Sequence, residues 1–296
     1  MDKFAQFLET NCSDNEFLTK SNGEAKKLLE QYMHTFVKKE WKGVDVEPVQ
    51  FDFDPELPDR LKPYTKSIPQ QLLAPTRKEF DRLLTYFLEP SNSPWASPLT
   101  VAPKATEPFI RLCINLSRIN KYIRYGHHPI PNVLKEIQLL KGYSMFLDLD
   151  ARNGYHQIPL HPATAEKLAV QSPFGLYQPK FLVEGVCCGT AVFQKTMMDI
   201  FDDLNPAPGE GAKWLFVLHD NFLIGAHDHA DAMIKLRKFL ERASEKNVYL
   251  KMEKTHLGQT KQHFFGYDIE RDHFQMSPDR AEALEKVPFP GSLALT

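Results

Sequence analysis

Two short apolar runs, each ending in an acid, constrain this chain more than any other feature. One is Met145-Phe-Leu-Asp-Leu-Asp150; the other is Leu215-Phe-Val-Leu-His-Asp220, continuing as Asn221-Phe-Leu-Ile-Gly225. Short apolar runs of this length read as strands, and the second is predicted as one strand over 215–225. Strands far apart in sequence can lie side by side and bring their carboxylates together. Such a pair can hold divalent cations for phosphoryl transfer. Asp148 lies two residues before Asp150, on the same strand face. Taken singly, an Asp at a strand end is equally well explained as a turn residue, so the pair gains weight from what surrounds it.

The rest of the chain mixes helices and strands without regular alternation, which predicts an α+β fold. Residues 1–45 read as polar helices, with Leu28, Leu29, Met33, Phe36 and Val37 on one stripe. Residues 46–72 are Pro-rich and extended. A helix is expected over 75–88, with Pro75 and Thr76 at its start and Phe80, Leu83, Leu84 and Phe87 on one face. The three prolines in Glu89-Pro-Ser-Asn-Ser-Pro-Trp-Ala-Ser-Pro98 keep that segment extended. Runs starting at Leu99 and Ile110 alternate apolar and polar residues and predict a strand pair joined at Lys104–Pro108. Further helices are expected over 133–140, 190–204 and 229–246. A hairpin is expected around Ser172–Gly175, and a closing strand with a Gly turn over 264–269.

The 296 residues carry a formal net charge of −2, which by itself says nothing for nucleic-acid binding. The distribution says more. Residues 1–60 hold thirteen acids against eight bases, whereas residues 104–124 hold five bases (Lys104, Arg111, Arg118, Lys121, Arg124) against Glu107 alone. That stretch is either a local phosphate-binding face or a solvated charged one. Cys12, Cys113, Cys187 and Cys188 show no zinc spacing and read as reduced thiols. No signal peptide and no apolar run of transmembrane length is evident, so a soluble intracellular protein with no membrane partner is expected.

Several segments, taken in order, resemble the reverse transcriptase of Gypsy-type LTR retrotransposon Pol polyproteins. Ser91-Asn-Ser-Pro-Trp-Ala-Ser-Pro98 resembles the segment leading into that family's fingers, and Leu149-Asp-Ala-Arg-Asn-Gly-Tyr-His-Gln157 its first catalytic motif. Gly185, Ala191, Phe193 and Gln194 match scattered positions of the next motif, and Leu218-His-Asp-Asn221 stands in the place of the Tyr-x-Asp-Asp box. Leu250-Lys-Met-Glu-Lys254 and Phe264-Phe-Gly-Tyr267 resemble the lysine motif and the primer grip.

The resemblance implies a right-hand polymerase fold: fingers and palm over 46–270, a helical N-terminal linker region over 1–45, and the start of a largely missing thumb over 271–296. It implies Asp150, Asp220 and Asn221 at a site for Mg²⁺ or Mn²⁺. It implies Arg111 and Lys104 on the incoming triphosphate, Tyr155 as the gate against a ribose 2′-hydroxyl, and Gln194 at the nucleotide. Gln157 and Gln194 are equally readable as a polar core network. Lys254 would donate the proton to pyrophosphate, and Phe265, Gly266 and Tyr267 would grip the primer. The expected partners are an RNA or DNA template–primer and dNTPs. Protease, RNase H and integrase are expected in the parent polyprotein, and the expected location is cytoplasmic, in a virus-like particle, or nuclear. Asn221 stands where the family has a second Asp, Leu218 replaces Tyr, and Glu184 with Cys187-Cys188 replaces a Phe-Gly-Leu-x-Asn pattern. Asn221 leaves two alternatives open: an inactive relic or domesticated nucleic-acid binder, and a viral RNA-dependent RNA polymerase with an Asp-Asn box. Tyr155 argues against the latter.

Overall fold

A computed structural model describes residues 16–37, 40–61, 64, 66–105, 107–126 and 131–286. The helices expected before residue 16, Cys12 and residues 287–296 of the expected C-terminal segment lie outside them. The helices are α1 (Glu16–Gln31), α2 (Met33–Phe36), α3 (Gln70–Leu84), α4 (Val133–Leu139), α5 (Pro162–Lys167), α6 (Gly189–Phe201), α7 (His229–Glu245) and α8 (Pro278–Glu285). The strands are β1 (Asp52–Phe53), β2 (Leu88–Pro90), β3 (Ser97–Pro103), β4 (Ile110–Ile114), β5 (Ile123–Arg124), β6 (Met145–Asp150) and β7 (Val170–Ser172). They continue with β8 (Gly175–Pro179), β9 (Leu215–Leu218), β10 (Asn221–Ala226), β11 (His256–Gln259), β12 (Gln262–Phe264), β13 (Tyr267–Ile269) and β14 (Phe274–Met276).

The acid-bearing runs meet in a four-stranded sheet of order β11-β6-β10-β9. β10 is antiparallel to β6, with Asn221 opposite Asp150 and Ala226 opposite Met145. α6 packs on β9, and α7 packs on β10 and β6. The rings of Phe201, Phe222 and Phe239, from α6, β10 and α7, sit at mutual centroid distances of 5.1, 4.9 and 5.2 Å. All three are buried. Burying each ring contributes about 1.5–3 kcal/mol, and each ring pair adds roughly 0.5–1.5 kcal/mol.

The run 215–225 is not one strand. It folds into the β9–β10 hairpin, joined by His219 and Asp220, with Leu218 opposite Asn221. Two-residue hairpin turns need positive φ and are usually signalled by Gly or Asn. Here His219 takes φ 51° itself, so no turn signature interrupts the apolar pattern.

A five-stranded sheet of order β2-β8-β7-β3-β4 forms a second layer, including the expected β3–β4 pair and the β7–β8 hairpin. α5 precedes that hairpin unforeseen, although His161 caps it and Pro162 opens it. α3 begins at Gln70, five residues earlier than Pro75 suggested. Pro75 falls in its second turn and removes one backbone donor without ending the helix. The N-terminal stripe also breaks. The chain turns at Tyr32 between α1 and α2, which resets the helical phase and leaves Met33 exposed while Leu28, Leu29 and Phe36 are buried.

A strap at residues 41–49 ties these parts together. Val44 N–H donates to Gln157 O, Asp45 N–H to Lys246 O and Val49 N–H to Pro159 O. Gly43, at φ +74°, lets it pass. A Cβ there would lie 2.5 Å from the Phe181 ring and 2.8 Å from Gln157 O. Gly43→Ala should lower stability by about 2–4 kcal/mol through left-handed strain plus overpacking, read as a fall in thermal midpoint. An unchanged midpoint would mean that the strap is dispensable.

Candidate active site

Asp150 closes β6 and is almost fully buried. Asp220 stands in the turn beside it, where its backbone carbonyl accepts from Ala151 N–H at 2.7 Å. A Cβ added at Gly154 would lie 3.7 Å from the Asp220 Cβ, an ordinary contact distance, so Gly154 packs directly beside this turn. Asn221 begins β10 directly opposite Asp150, and directly paired residues project to the same face of a sheet. The expectation that both acids sit on strands is therefore corrected. Asp150 is a strand residue, Asp220 a turn residue, and Asn221 the strand partner.

Gln194 holds the turn in place. It is fully buried on α6, its Nε2 donates to Val217 O at 2.7 Å, and its Oε1 accepts from His219 N–H at 2.8 Å. With both ends engaged, it does not reach a nucleotide, which corrects that expectation in favour of the core network. Gln157 is saturated likewise, donating to Arg152 O and Tyr249 O and accepting from Tyr249 N–H.

Lys254 Nζ donates to Asp150 Oδ2 at 2.8 Å. Burial raises the Asp150 pKa, and the charge of Asp220 raises it further, while Lys254 pulls it down. The hydrogen bond to Asp150 in turn raises Lys254. Asp148 sits one strand step away. Its Oδ2 accepts from Gln262 Nε2 at 2.8 Å and its Oδ1 is buried with no hydrogen bond. Burial pushes its pKa up to about 7.

Two mutually repelling carboxylates beside a neutral amide oxygen suit a hard divalent cation whose other ligands are water and phosphate. Among the described residues no group of three His, Cys, Asp or Glu side chains could hold a metal by itself. A hard divalent cation commonly takes one or two protein carboxylates, with water and phosphate for the rest. Asp150 and Asp220, with Asn221 as a neutral donor, would hold it.

Asp150 and Asp220 line a cleft of about 1320 Å³ together with Arg111, Tyr155 and Lys254. Arg111, on β4, lies 3.5 Å from Glu184. The Tyr155 hydroxyl is 2.9 Å from Thr190 Oγ1, and its ring packs on Phe193. Lys104 stands at the end of the β3–β4 hairpin, where its Nζ donates to Glu107 O. It lines an adjoining cavity of about 810 Å³ between that hairpin and α3, which Arg111 and Glu184 line as well, and it is not in the lining of the cleft that holds Asp150 and Asp220. Phe265 and Gly266 form the turn between β12 and β13 with φ 49° and 78°. Phe265 approaches the His219 ring at 5.7 Å, and Arg280 donates to Phe265 O and covers the buried Tyr267 ring. Arg152, Lys180 and Lys251 also line the cleft. Sequence reading missed them, because scattered bases carry no periodic signal.

Two expectations test this geometry. Gln194→Met fills the same space but leaves Val217 O and His219 N–H unpaired. It should lower stability by about 1–3 kcal/mol and speed amide hydrogen exchange at residues 217–221; unchanged exchange there would mean that the turn holds itself. Asp148 titrates far above an ordinary carboxylate, so the fold favours its neutral form. That contribution is fully present below about pH 4 and is lost as pH rises through about 7. Asp148→Asn, melted in EDTA, should therefore gain on the native chain between pH 5 and pH 8. A melting difference that does not vary with pH would contradict the assignment.

The family model described as reverse transcriptase (RNA-dependent DNA polymerase) matches residues 100–269, more than half of the chain. The chain is 27% identical over 237 residues to the retrovirus-related Pol polyprotein from transposon opus of Drosophila melanogaster, a match covering 78% of this chain and 23% of that protein. It is 24% identical over 208 residues to the Pol polyprotein from transposon gypsy of the same organism, covering 69% and 20%. It is 29% identical over 218 residues to the genome polyprotein of Petunia vein clearing virus (isolate Shepherd), covering 71% and 10%. The chain thus spans under a quarter of each of these relatives. Foamy viral protease-reverse transcriptase shares the fold. Its complex with ds DNA superposes with TM-score 0.80 at 16% identity, covering 97% of this chain and 49% of that one. Its complex with an RNA/DNA hybrid gives TM-score 0.76 at 16% identity, covering 97% and 38%. The architecture is accordingly the expected α+β polymerase fold, with the sheet bearing Asp150 as palm and the β3–β4 layer as fingers. These likenesses favour neither the RNA-polymerase nor the relic alternative. The chain belongs to the reverse transcriptase (RNA-dependent DNA polymerase) family and is a domain similar to those of Gypsy-type LTR retrotransposon Pol polyproteins.

Proposed function

We propose that this chain carries out RNA- and DNA-templated DNA synthesis, adding dNTPs to a primer 3′-hydroxyl. The observation that carries this reading is Asp150 and Asp220 in one cleft with Arg111 and Lys254, with Asn221 paired opposite Asp150 on the neighbouring strand. Asp150 and Asp220 hold the divalent cation, and Asn221 completes the donor set without a charge. Bound Mg²⁺ or Mn²⁺ supplies electrostatic stabilisation of the phosphoryl group in transfer. Arg111 binds triphosphate oxygens through its forked guanidinium. Tyr155, fixed by Thr190 and Phe193, fills the space that a ribose 2′-hydroxyl needs. Lys254, charged and already hydrogen-bonded at the site, can donate a proton to the leaving pyrophosphate. The Phe265–Tyr267 turn, held by Arg280 and set against His219, holds the primer end beside the catalytic turn.

The partners proposed are an RNA/DNA template–primer and dNTPs. The relatives are polyproteins, so protease, RNase H and integrase are proposed to accompany this domain in its parent protein. An intracellular location, in a virus-like particle or the nucleus, goes with that reading. Among the described residues no helix is long and apolar enough to cross a membrane.

Asn221 gives the site one negative charge fewer than two acids in the box would. Mg²⁺ should bind more weakly, and Mn²⁺, later in the divalent affinity order, should support extension better. In a primer-extension assay on an RNA template, Asn221→Asp should raise Mg²⁺-dependent synthesis several-fold, while Asp150→Asn should lower it by at least about a hundredfold. Folded native chain and Asn221→Asp variant that both fail to extend with either metal would overturn the proposal.

A further inference from the structure

Glu184 stands on the loop that leads into α6, facing the cleft. Asn120 holds the loop from both sides: its Nδ2 donates to Gly185 O at 2.8 Å, and its Oδ1 accepts from Cys187 N–H at 3.1 Å. Gly185, at φ +92°, makes the bend. The carboxylate is thereby presented to Arg111, with Oε2 3.5 Å from Nη1 and the two side chains 51% and 57% exposed. Both residues line the cleft that contains Asp150 and Asp220.

We propose that Glu184 is an internal counter-ion for Arg111 that an incoming nucleoside triphosphate must displace, so that this acid sets dNTP affinity. The inference rests on the proposed polymerase function and concerns the same cleft. An exposed ion pair is weak, and a triphosphate brings several negative oxygens to a guanidinium that binds them bidentately. The phosphate therefore wins the arginine. The displaced carboxylate does not leave, because Asn120 pins its loop. It stays beside the phosphates as a like charge and lowers nucleotide affinity. The same residue favours product release, since it re-pairs with Arg111 when pyrophosphate departs.

The test uses the whole chain on an RNA template with a DNA primer ending in a 2′,3′-dideoxynucleotide, which cannot be extended. The next complementary dNTP is titrated in Mg²⁺, and the ternary complex surviving a heparin challenge is measured on a native gel. Glu184→Gln and Glu184→Ala should each lower the half-saturating dNTP concentration about two- to fivefold, the range expected from losing one exposed pair. In an Arg111→Ala background the gain from Glu184→Gln should shrink. A native chain that binds dNTP while neither Glu184 variant improves it would overturn the counter-ion role and leave the polymerase reading standing. An equal gain with and without Arg111 would also overturn the pairing. No dNTP-dependent complex in any variant would overturn both.

Discussion

The pairing of β6 with β10 is the contact on which the site depends. Asp150 and Asp220 are about seventy residues apart in sequence, and neither is a site alone. The antiparallel ladder sets Asn221 against Asp150, and the two-residue turn then leaves Asp220 no place but beside them. Register is strict here, because a slip of one residue would send the side chains of β10 to the opposite face. Phe222, Leu223 and Ile224 on that strand are fully buried, so such a slip would break the packing of α6 and α7 as well as the site. Stability of the palm and geometry of the acids are thus one constraint.

Around that ladder the buried polar groups serve the backbone. Gln194 satisfies Val217 O and His219 N–H, and Gln157 ties Arg152 to Tyr249. A buried amide with all its partners rigidifies its surroundings, whereas one with a free end is costly. His219 needs this support, since a bulky residue at positive φ is strained. Its neighbour across the space is Phe265, also at positive φ, in the β12–β13 turn. Two strained turns thus meet at His219 and Phe265, and strain of this kind persists only where surrounding contacts over-determine it.

The electrostatics of the cleft are a balance of near neighbours. Lys254 offsets Asp150, and Glu184 offsets Arg111. Asp148 has no cation of its own, and its hydrogen bond to Gln262 joins β6 to the hairpin that carries Phe265. Asn221, paired opposite Asp150, adds no third charge to the repulsion between Asp150 and Asp220.

The strand pair of the fingers, the strand over 145–150, the amphipathic helices α6 and α7 and the turn at Phe265–Gly266 were legible in the sequence, because period and breakers are local signals. The order of the motifs also singled out Asp150, Asp220 and Asn221, which the β6–β10 pairing and the adjoining turn bring together. The split of 215–225 into a hairpin was not legible, since His219 adopts its turn conformation under tertiary support from Gln194 and without a turn signature. Nor was the role of Gln194, because an amide reads alike in a cleft and in a core until burial decides. The early start of α3 was hidden by Pro75, whose local cost is outweighed by packing Phe80 and Leu83 into the core. Lys104 looked equivalent to Arg111 by charge, but of the two Arg111 lines both the cleft of Asp150 and Asp220 and the adjoining cavity at the β3–β4 hairpin, and Lys104 lines the latter alone. The sequence by itself determined most of the elements and the acids that end or adjoin them, for these follow from local pattern. Which side chains face one another across the cleft was decided only by the tertiary structure, because strand register and the packing of helices on the sheet are non-local.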